Sequence, residues 1–579
     1  MILQALTQLY QDLSARGDIA RRGWSNASIS YALCLSEDGS LSQVVPLHVE
    51  EQVGKKKGLR PRKMELPARV TGRTGLSTPA NFLWDNSSYL MGVDGKGDPK
   101  RSRKCFEACA ELHHQLLDDV DTAAARAVLA YFDKWQPENA HLHPALADCW
   151  EDVMKGANLV FRYDGRFVQE DPAIQAAWDS YYGRSEGEKV QCLVTGRLDV
   201  PELVHPFIKG VADAQSSGAS IVSFNAPAFC SYGKKQSLNA PVGKYAAFAY
   251  TSALNYLLAD RDNVQRTGDT TVVCWAEGAE PNYQKCAFAA LFGAQLSEQI
   301  TTDTLRSIVK RLADQKPCEE LNLDPSRNFY ILGLAPNAAR LSVRFFCRNT
   351  FGELMQNINE HHERMRIVGR QFEYIPLWAM LRETVNLKST DKSPSPVVAG
   401  ATARAIFSGL PYPAALLEAT MLRIRSEREI TPGRAAILKA YLLKNHADTN
   451  TSIKEVAQEV LNRNCDNQPY LLGRLFAVLE KIQLASAEWN INRSIKDSYF
   501  TSITTTPTII LKKILQLSEY HMKKLYREKR GIALKLEKEK SSIMCKISVP
   551  IPSRFTPEEA TSFYLGYYHQ MNYKEENEE

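Results

Sequence analysis

The densest concentration of base-reading chemistry in this chain is the run Ser223-Phe-Asn-Ala-Pro-Ala-Phe-Cys-Ser-Tyr-Gly-Lys-Lys-Gln-Ser-Leu-Asn-Ala-Pro241. It contains Asn225, Tyr232, Lys234, Lys235, Gln236 and Asn239. Asn and Gln amides carry a donor beside an acceptor, the arrangement that pairs two-pronged with adenine in the major groove. Lys and Asn donors also suit the minor-groove acceptors of A·T pairs. A polar turn that caps its own backbone uses the same residue types, so the run has two readings. Phe224, Phe229 and Tyr232 are expected to pin it to the core, leaving Asn225, Lys234, Lys235, Gln236 and Asn239 facing outward.

Positive charge gathers in three further places. Lys55, Lys56, Lys57, Arg60, Arg62 and Lys63 lead into Arg69 and Arg73, so Val53–Arg73 holds eight Lys or Arg and one acidic residue, Glu65. Its glycines and prolines predict a loop. Such a loop grips phosphates as a set of counter-ions or is a solvated charge run. Lys96, Lys100, Arg101, Arg103 and Lys104 surround Asp98 at the start of a predicted helix, where cations oppose the macrodipole unless an anion or a cap offsets them. His521–Ser542 carries eight Lys or Arg against Glu528, Glu537 and Glu539. There Lys523, Lys524 and Arg527 are backbone-contact candidates, and i, i+4 pairing with Glu528 is the competing reading.

Enzymatic chemistry is not legible. The chain lacks a phosphate-cradling G-x-x-x-x-G-K-[ST] loop, a G-x-G-x-x-G turn, an H-E-x-x-H pair and a G-x-S-x-G elbow. His113-His114, His141/His143 and His361-His362 are the histidine clusters, and adjacent residues point to different sides of a helix. Neither a cofactor nor a metal is expected. The alternative is a nuclease or nucleic-acid-processing enzyme whose site is assembled from distant positions.

The elements that position these groups follow from pattern. At 579 residues the chain is expected to form two to four domains. A net charge of +5 permits a nucleic-acid partner without demanding one. Twelve scattered cysteines without a C-x-x-C pair suit a reducing, cytoplasmic compartment. No secretory signal and no membrane-length apolar run is present.

Residues 1–390 predict a mixed α/β region. Ala27–Leu35 with Leu41–Leu47, and Asn158–Tyr163 with Arg166–Gln169 across Asp164-Gly165, predict hairpins. Further strands are expected at Phe82–Met91, Val190–Thr195, Ala219–Phe224, Thr270–Trp275, Phe329–Leu334 and Leu341–Phe346. Helices are expected at Arg103–Leu117, Ala123–Trp135 and Tyr245–Ala259, the last buried. Asn386–Pro396 predicts a linker. Beyond it, residues 397–579 predict an all-α bundle, with helices near 413–427, 432–446, 452–462, 468–489, 507–540 and 557–570. Thr431, Thr506 and Thr556 each precede a proline at a helix start, and Thr556 with Glu559 spells a capping box. The fold class is therefore α+β, a mixed α/β part followed by an all-α bundle.

Several longer motifs carry a resemblance. They are Leu193-Val-Thr-Gly196, His205-Pro-Phe-Ile-Lys-Gly-Val211, Ala214–Asn225 and Ala253-Leu-Asn-Tyr-Leu-Leu258. Asp269–Trp275, Ile331–Phe345, Gly409-Leu-Pro-Tyr-Pro413, Ser494-Ile-Lys-Asp497 and Phe563–Gln570 extend it from end to end. With the Ser223–Pro241 run, they resemble the large subunit of the type I-C CRISPR surveillance complex, Cascade. Where that family tends to place an acidic residue after Gly-Lys, this chain has Lys235. That removes any role needing a carboxylate there and leaves a phosphate or base contact open.

The resemblance implies a non-catalytic protein that recognises the protospacer-adjacent motif in double-stranded DNA, promotes R-loop formation and holds the displaced single strand. The implied partners are the CRISPR RNA, the backbone and 5′-end-binding subunits, and a helicase–nuclease. A small subunit made by internal translation of the helical part is implied too, for which Met421 and Met380 are the nearest starts. The motif-reading candidates are then Asn225, Tyr232, Lys234, Lys235, Gln236 and Asn239. The nucleic-acid backbone candidates are Lys55, Lys56, Lys57, Arg60, Arg62 and Lys63.

Overall fold

The computed structural model describes residues 1–53, 56–70, 78–95, 98–183, 187–260, 264–293, 301–369, 375–390, 392–488 and 491–573. The chain forms two compact units: Leu3–Pro206 with Ser223–Ala253, and Phe207–Val222 with Leu254–Glu579.

The first unit is built around short sheets. Strands β1 (Trp24–Ile29), β2 (Tyr31–Leu35), β3 (Leu41–Pro46), β4 (His48–Val53), β5 (Lys56–Pro67), β6 (Trp84–Asn86), β7 (Asn158–Tyr163) and β8 (Arg166–Phe167) occur in its first half. β9 (Val190–Gln191) and β10 (Leu198–Asp199) form a small ribbon. The expected hairpin is present between β2 and β3, but the extended run breaks at Ser30, so β1 pairs with β5 instead. β7 runs parallel to β2, with β6 on its other edge. Asp164 and Gly165 turn β7 into β8 with φ of 44° and 74°, the left-handed pair that a two-residue hairpin turn requires.

Phe82–Met91 keeps only three residues of strand. Asn86 accepts a hydrogen bond from the Ser88 amide and starts the helix Ser87–Leu90, since an Asn side chain satisfies a helix-start donor. Phe82, Tyr131, Phe132, Phe161 and Trp178 lie in the core beneath, with the helices Pro99–Leu117 and Ala123–Lys134 packed over it.

The second unit contains the antiparallel sheet β11 (Val264–Thr267), β12 (Thr270–Ala276), β13 (Asn328–Asn337) and β14 (Arg340–Thr350), in that order. β12 is buried along its length, matching its unbroken apolar sequence. The sheet and the C-terminal helices share one core that runs from Val272 to Tyr568. Two buried cations secure this join. Lys439 donates to the carbonyls of Arg364 and Arg366 at 3.2 and 2.7 Å, closing the helix Phe351–Met365. Arg434 donates to the Glu383 and Glu429 carbonyls and pairs with Glu427. Deeper in the bundle, Gly473 faces the Phe563 carbonyl and Gly566 the Tyr470 carbonyl, where a Cβ would come within 2.0 and 2.1 Å. Glycine at both places lets the helices Gln468–Ser486 and Pro557–Asn572 touch backbone to backbone.

The capping threonines divide. Thr431 accepts from Arg434 N, and Thr556 with Glu559 forms the full capping box. Thr506 instead donates to the Ser502 carbonyl and finishes the preceding helix. The helix expected at 507–540 is two helices, Pro507–Glu528 and Arg530–Met544, broken at Lys529 with φ −145° and ψ 59°. In one straight helix Glu519 and Lys540 would stand about 30 Å apart. Here they form an ion pair at 3.3 Å, so the two helices fold back on each other. Gly531, a poor helix former, lies next to the break. The expected helix 452–462 ends at Val456.

Candidate nucleic-acid interface

The Ser223–Pro241 run is a loop with two short 3-10 turns, Pro227–Phe229 and Gln236–Asn239. Ahead of it, Ala219–Phe224 is not a strand. Ala219 and Ser220 make isolated bridges to Ile208 and Arg340, and no ladder follows. Pro227, which lacks an N–H, closes the run three residues after Phe224. Behind it, the helix Lys244–Ala259 forms as expected, with Ala246, Ala247, Tyr250, Ala253 and Leu254 buried.

At the apex, Lys234 N donates to the Ser231 carbonyl at 3.0 Å, while Tyr232 and Gly233 have φ of 52° and 70°. Two consecutive left-handed residues make a type I′ turn. Glycine takes that conformation freely, but for a tyrosine it costs about 1 kcal/mol or more. Gln236 is left-handed as well, at φ 48°. Asn239 sustains this geometry. Its Oδ1 accepts from Ser231 N at 2.8 Å, and its Nδ2 donates to the Lys234 and Gln236 carbonyls at 3.1 and 2.8 Å.

Asn239 is thus committed to shaping the loop. The anchor to the rest of the unit is Ser237, which is buried and donates to the Leu203 carbonyl at 2.8 Å. Two residues further on, the His205 imidazole meets Tyr250 Oη at 2.6 Å. Burial lowers the His205 pKa to about 4, so the ring is neutral near pH 7.

Tyr232 does not pin the loop. Tyr232 is 100% exposed and Phe229 43%, leaving Phe224 as the partly buried one. A type I′ turn points its central side chains away from the body of the loop, so the backbone conformation, not hydrophobicity, decides where Tyr232 goes. Asn225, Lys234, Lys235 and Gln236 are also exposed.

The described part of the basic run, residues 56–63, belongs to a β-ribbon and not to a loop. Lys55 lies outside the described residues. β4 and β5 pair antiparallel from His48↔Pro61 to Val53↔Lys56, which places Lys56, Lys57 and Arg60 along one strand. Further on, β5 changes partner and pairs with β1 from Arg62 to Pro67, where Met64 and Leu66 are buried. The prolines at 61 and 67 sit where the strand switches partner and where it ends, which a strand tolerates. Arg60, Arg62 and Lys63 are exposed, and the Arg62 guanidinium lies 5.7 Å from the Phe167 ring centre. The missed signal was the closeness in sequence of two extended runs, His48–Val53 and Lys56–Pro67. A two-stranded ribbon is an element that a DNA major groove admits.

At the helix Pro99–Leu117, Asp98 accepts from Arg101 N and Arg103 pairs with Glu138 at 2.9 Å, so a cap and an ion pair offset part of that charge. Lys96 lies outside the described residues. In the helical hairpin, Lys523, Lys524 and Arg527 are exposed, and Lys524 and Arg527 lie 3.8 and 2.7 Å from Glu528.

The buried members of the histidine clusters serve packing. His113 Nε2 accepts from Leu83 N, which makes its Nδ1–H the donor to the Cys109 carbonyl; burial holds its pKa near 4. His361 bonds Tyr412 and His362 the Ala290 carbonyl. Among the described residues no three His, Cys, Asp or Glu side chains are grouped to hold a metal, and no helix is long and apolar enough to cross a membrane.

No curated protein matches this chain. Residues 6–573 match the family described as CRISPR-associated protein (Cas_Csd1). Since that match spans nearly the whole length, the protein belongs to the Cas_Csd1 family of CRISPR-associated proteins, and membership implies the role of a large subunit in a Cascade-type complex.

Proposed function

We propose that this chain is the non-catalytic large subunit of a type I-C surveillance complex and that the Ser223–Pro241 loop reads the protospacer-adjacent motif in duplex DNA. The observation that carries this reading is the apex. A tyrosine held left-handed and wholly exposed, beside Lys234, Lys235 and Gln236, is sustained by an asparagine spent on the loop's own backbone. Strain kept at an exposed apex is a feature of binding sites. In this reading Asn225 and Gln236 meet base edges, Tyr232 offers a ring to a base or sugar, and Lys234 and Lys235 meet phosphate. The β4–β5 ribbon, with Lys56, Lys57, Arg60, Arg62 and Lys63, adds affinity that is indifferent to sequence.

The wider proposal is that the chain works in the cytoplasm with the CRISPR RNA, the backbone and 5′-end-binding subunits, a small subunit and a helicase–nuclease. It opens the duplex and holds the displaced strand, while base pairing with the guide reads the target. Metal-dependent cleavage of plasmid or RNA by the purified chain would overturn the non-catalytic assignment.

The deciding test is titration of the assembled complex on two duplexes that differ only in the flanking trinucleotide, at fixed salt. Gln236→Ala and Asn225→Ala are each expected to narrow the affinity gap by about 1–3 kcal/mol, the discrimination that one base-reading side chain supplies. Arg60→Gln with Arg62→Gln is expected to weaken both duplexes alike. Loop variants that melt normally and keep full discrimination would place motif reading elsewhere.

A further inference from the structure

We infer that the second unit carries a stacking site for a base of single-stranded nucleic acid, centred on Trp378 and flanked by Arg382 and Lys392. The inference rests on the reading of this chain as a nucleic-acid binder, but it uses residues to which that reading assigns nothing.

The short helix Leu377–Arg382 sends Leu377, Met380 and Leu381 into the core, each 1% exposed or less. Trp378 and Arg382, four apart, share its other face. Trp24, Trp84, Trp178 and Trp275 are at most 4% exposed, whereas Trp378 is 58% exposed. An indole left in water forgoes a large burial gain, so its exposure on a helix otherwise well packed calls for an occupant.

Trp378 lines a groove of about 730 Å³, together with Phe292, Pro396, Arg266, Arg382 and Lys392. Charge identifies the occupant. The carboxylate on the groove wall, Asp269, is held by Arg344 at 2.6 Å, and Arg266 is held by Asp213. Arg382 and Lys392 are exposed and pair with no carboxylate among the described residues. An apolar partner laid on the indole would strip water from these two cations and offer them nothing. A nucleotide satisfies both demands, because its base supplies a flat π-face to Trp378 and its phosphates lie against Arg382 and Lys392. The strand must be single, because bases inside a duplex already stack on each other and present only their edges.

The test uses the full chain and a fluorescein-labelled oligothymidylate, read by anisotropy. Trp378→Ala is expected to weaken binding roughly 5- to 140-fold, the range for losing one base–aromatic stack, and Trp378→Phe to retain most of the affinity. Arg382→Gln with Lys392→Gln is expected to lower the slope of log K against log salt by about 1.4, at roughly 0.7 per phosphate on single strands. Thermal unfolding of each variant serves as the control. Wild-type affinity in a normally folded Trp378→Ala variant would overturn the proposal. So would thymidine monophosphate or inorganic phosphate displacing the oligonucleotide as well as the unlabelled strand does. The probe contains no duplex and no flanking motif. Failure here with motif discrimination intact therefore removes this site alone, whereas wild-type chain that binds neither probe removes the reading on which it rests.

Discussion

The Ser223–Pro241 loop and the helical hairpin Pro507–Met544 hold similar polar and basic residues and use them in opposite ways. In the loop the structural work falls to two uncharged side chains, Asn239 and Ser237, so the lysines and Gln236 stay exposed. In the hairpin, charge itself does the joining. Lys540 is buried between Glu519 and Glu537, and Glu539 receives both Arg474 and Arg463. A tally of cations would rank the hairpin above the loop, but much of the hairpin's charge is already neutralised from within. What marks a binding surface is the charge left over after the fold has taken its share.

The largest expected effect would break the hairpin's side of this comparison. Arg474 is almost wholly buried and donates to Glu539 at 3.3 Å and to Gln570 at 2.9 Å. Glu539→Ala should destabilise the second unit by about 3 kcal/mol, the lower end for leaving a buried charge unpaired, seen as an earlier denaturation midpoint. A midpoint shift under about 1 kcal/mol would mean that the pair is not structural.

Acid tests buried uncharged groups beside the loop and in the helical bundle. His205, two residues from the carbonyl that anchors Ser237, and His569 in the bundle each have a pKa lowered to about 4 by burial. The unfolded chain therefore takes up protons near pH 6.5 that the folded chain refuses, so stability is lost as pH falls from about 6.5 toward 4. His114, between Asp118 and Asp133 at 3.0 and 3.1 Å, has a raised pKa. Its contribution is complete below about 6.5 and disappears as pH rises through its folded value, opposing the trend in the first unit. Denaturant midpoints at pH 7 and near pH 4.5 should differ in this direction, and His205→Gln should shrink the difference.

The loop is sharpened by pairing two substitutions. Asn239→Ala removes three hydrogen bonds and should cost about 1–2 kcal/mol, while lowering affinity for every duplex as the apex loses its shape. Tyr232→Ala should leave unfolding unchanged or slightly delayed, because the fully exposed ring packs on nothing, yet weaken binding. Equal effects of the two on unfolding would contradict the division between support and apex.

The smallest effect on stability is expected from Lys523→Gln, Lys524→Gln and Arg527→Gln together, since these side chains lie at the surface. If the hairpin also follows a nucleic-acid strand, the salt dependence of binding flattens by about one unit for each phosphate no longer neutralised. An unchanged slope leaves them as a solvated face.

Local chemistry made much of the fold legible. The turn at Asp164-Gly165, the capping box at Thr556, the buried helix Lys244–Ala259 and the strand β12 each follow from residues within a few positions of one another. Motif content along the chain pointed to the family, and the loop's residue types made it the candidate interface. Only the tertiary structure decided what depends on distant partners. β5 became a strand because β1 and β4 were there to pair with it, despite two prolines and a run of lysines. Pro507–Met544 became a hairpin because Glu519 and Lys540 could meet. Asn239 went to the backbone and Tyr232 to solvent because two left-handed residues turned the chain between them. Spacing reveals which groups can interact nearby, whereas the exposure and pairing of a side chain are fixed by whatever the rest of the chain brings alongside it.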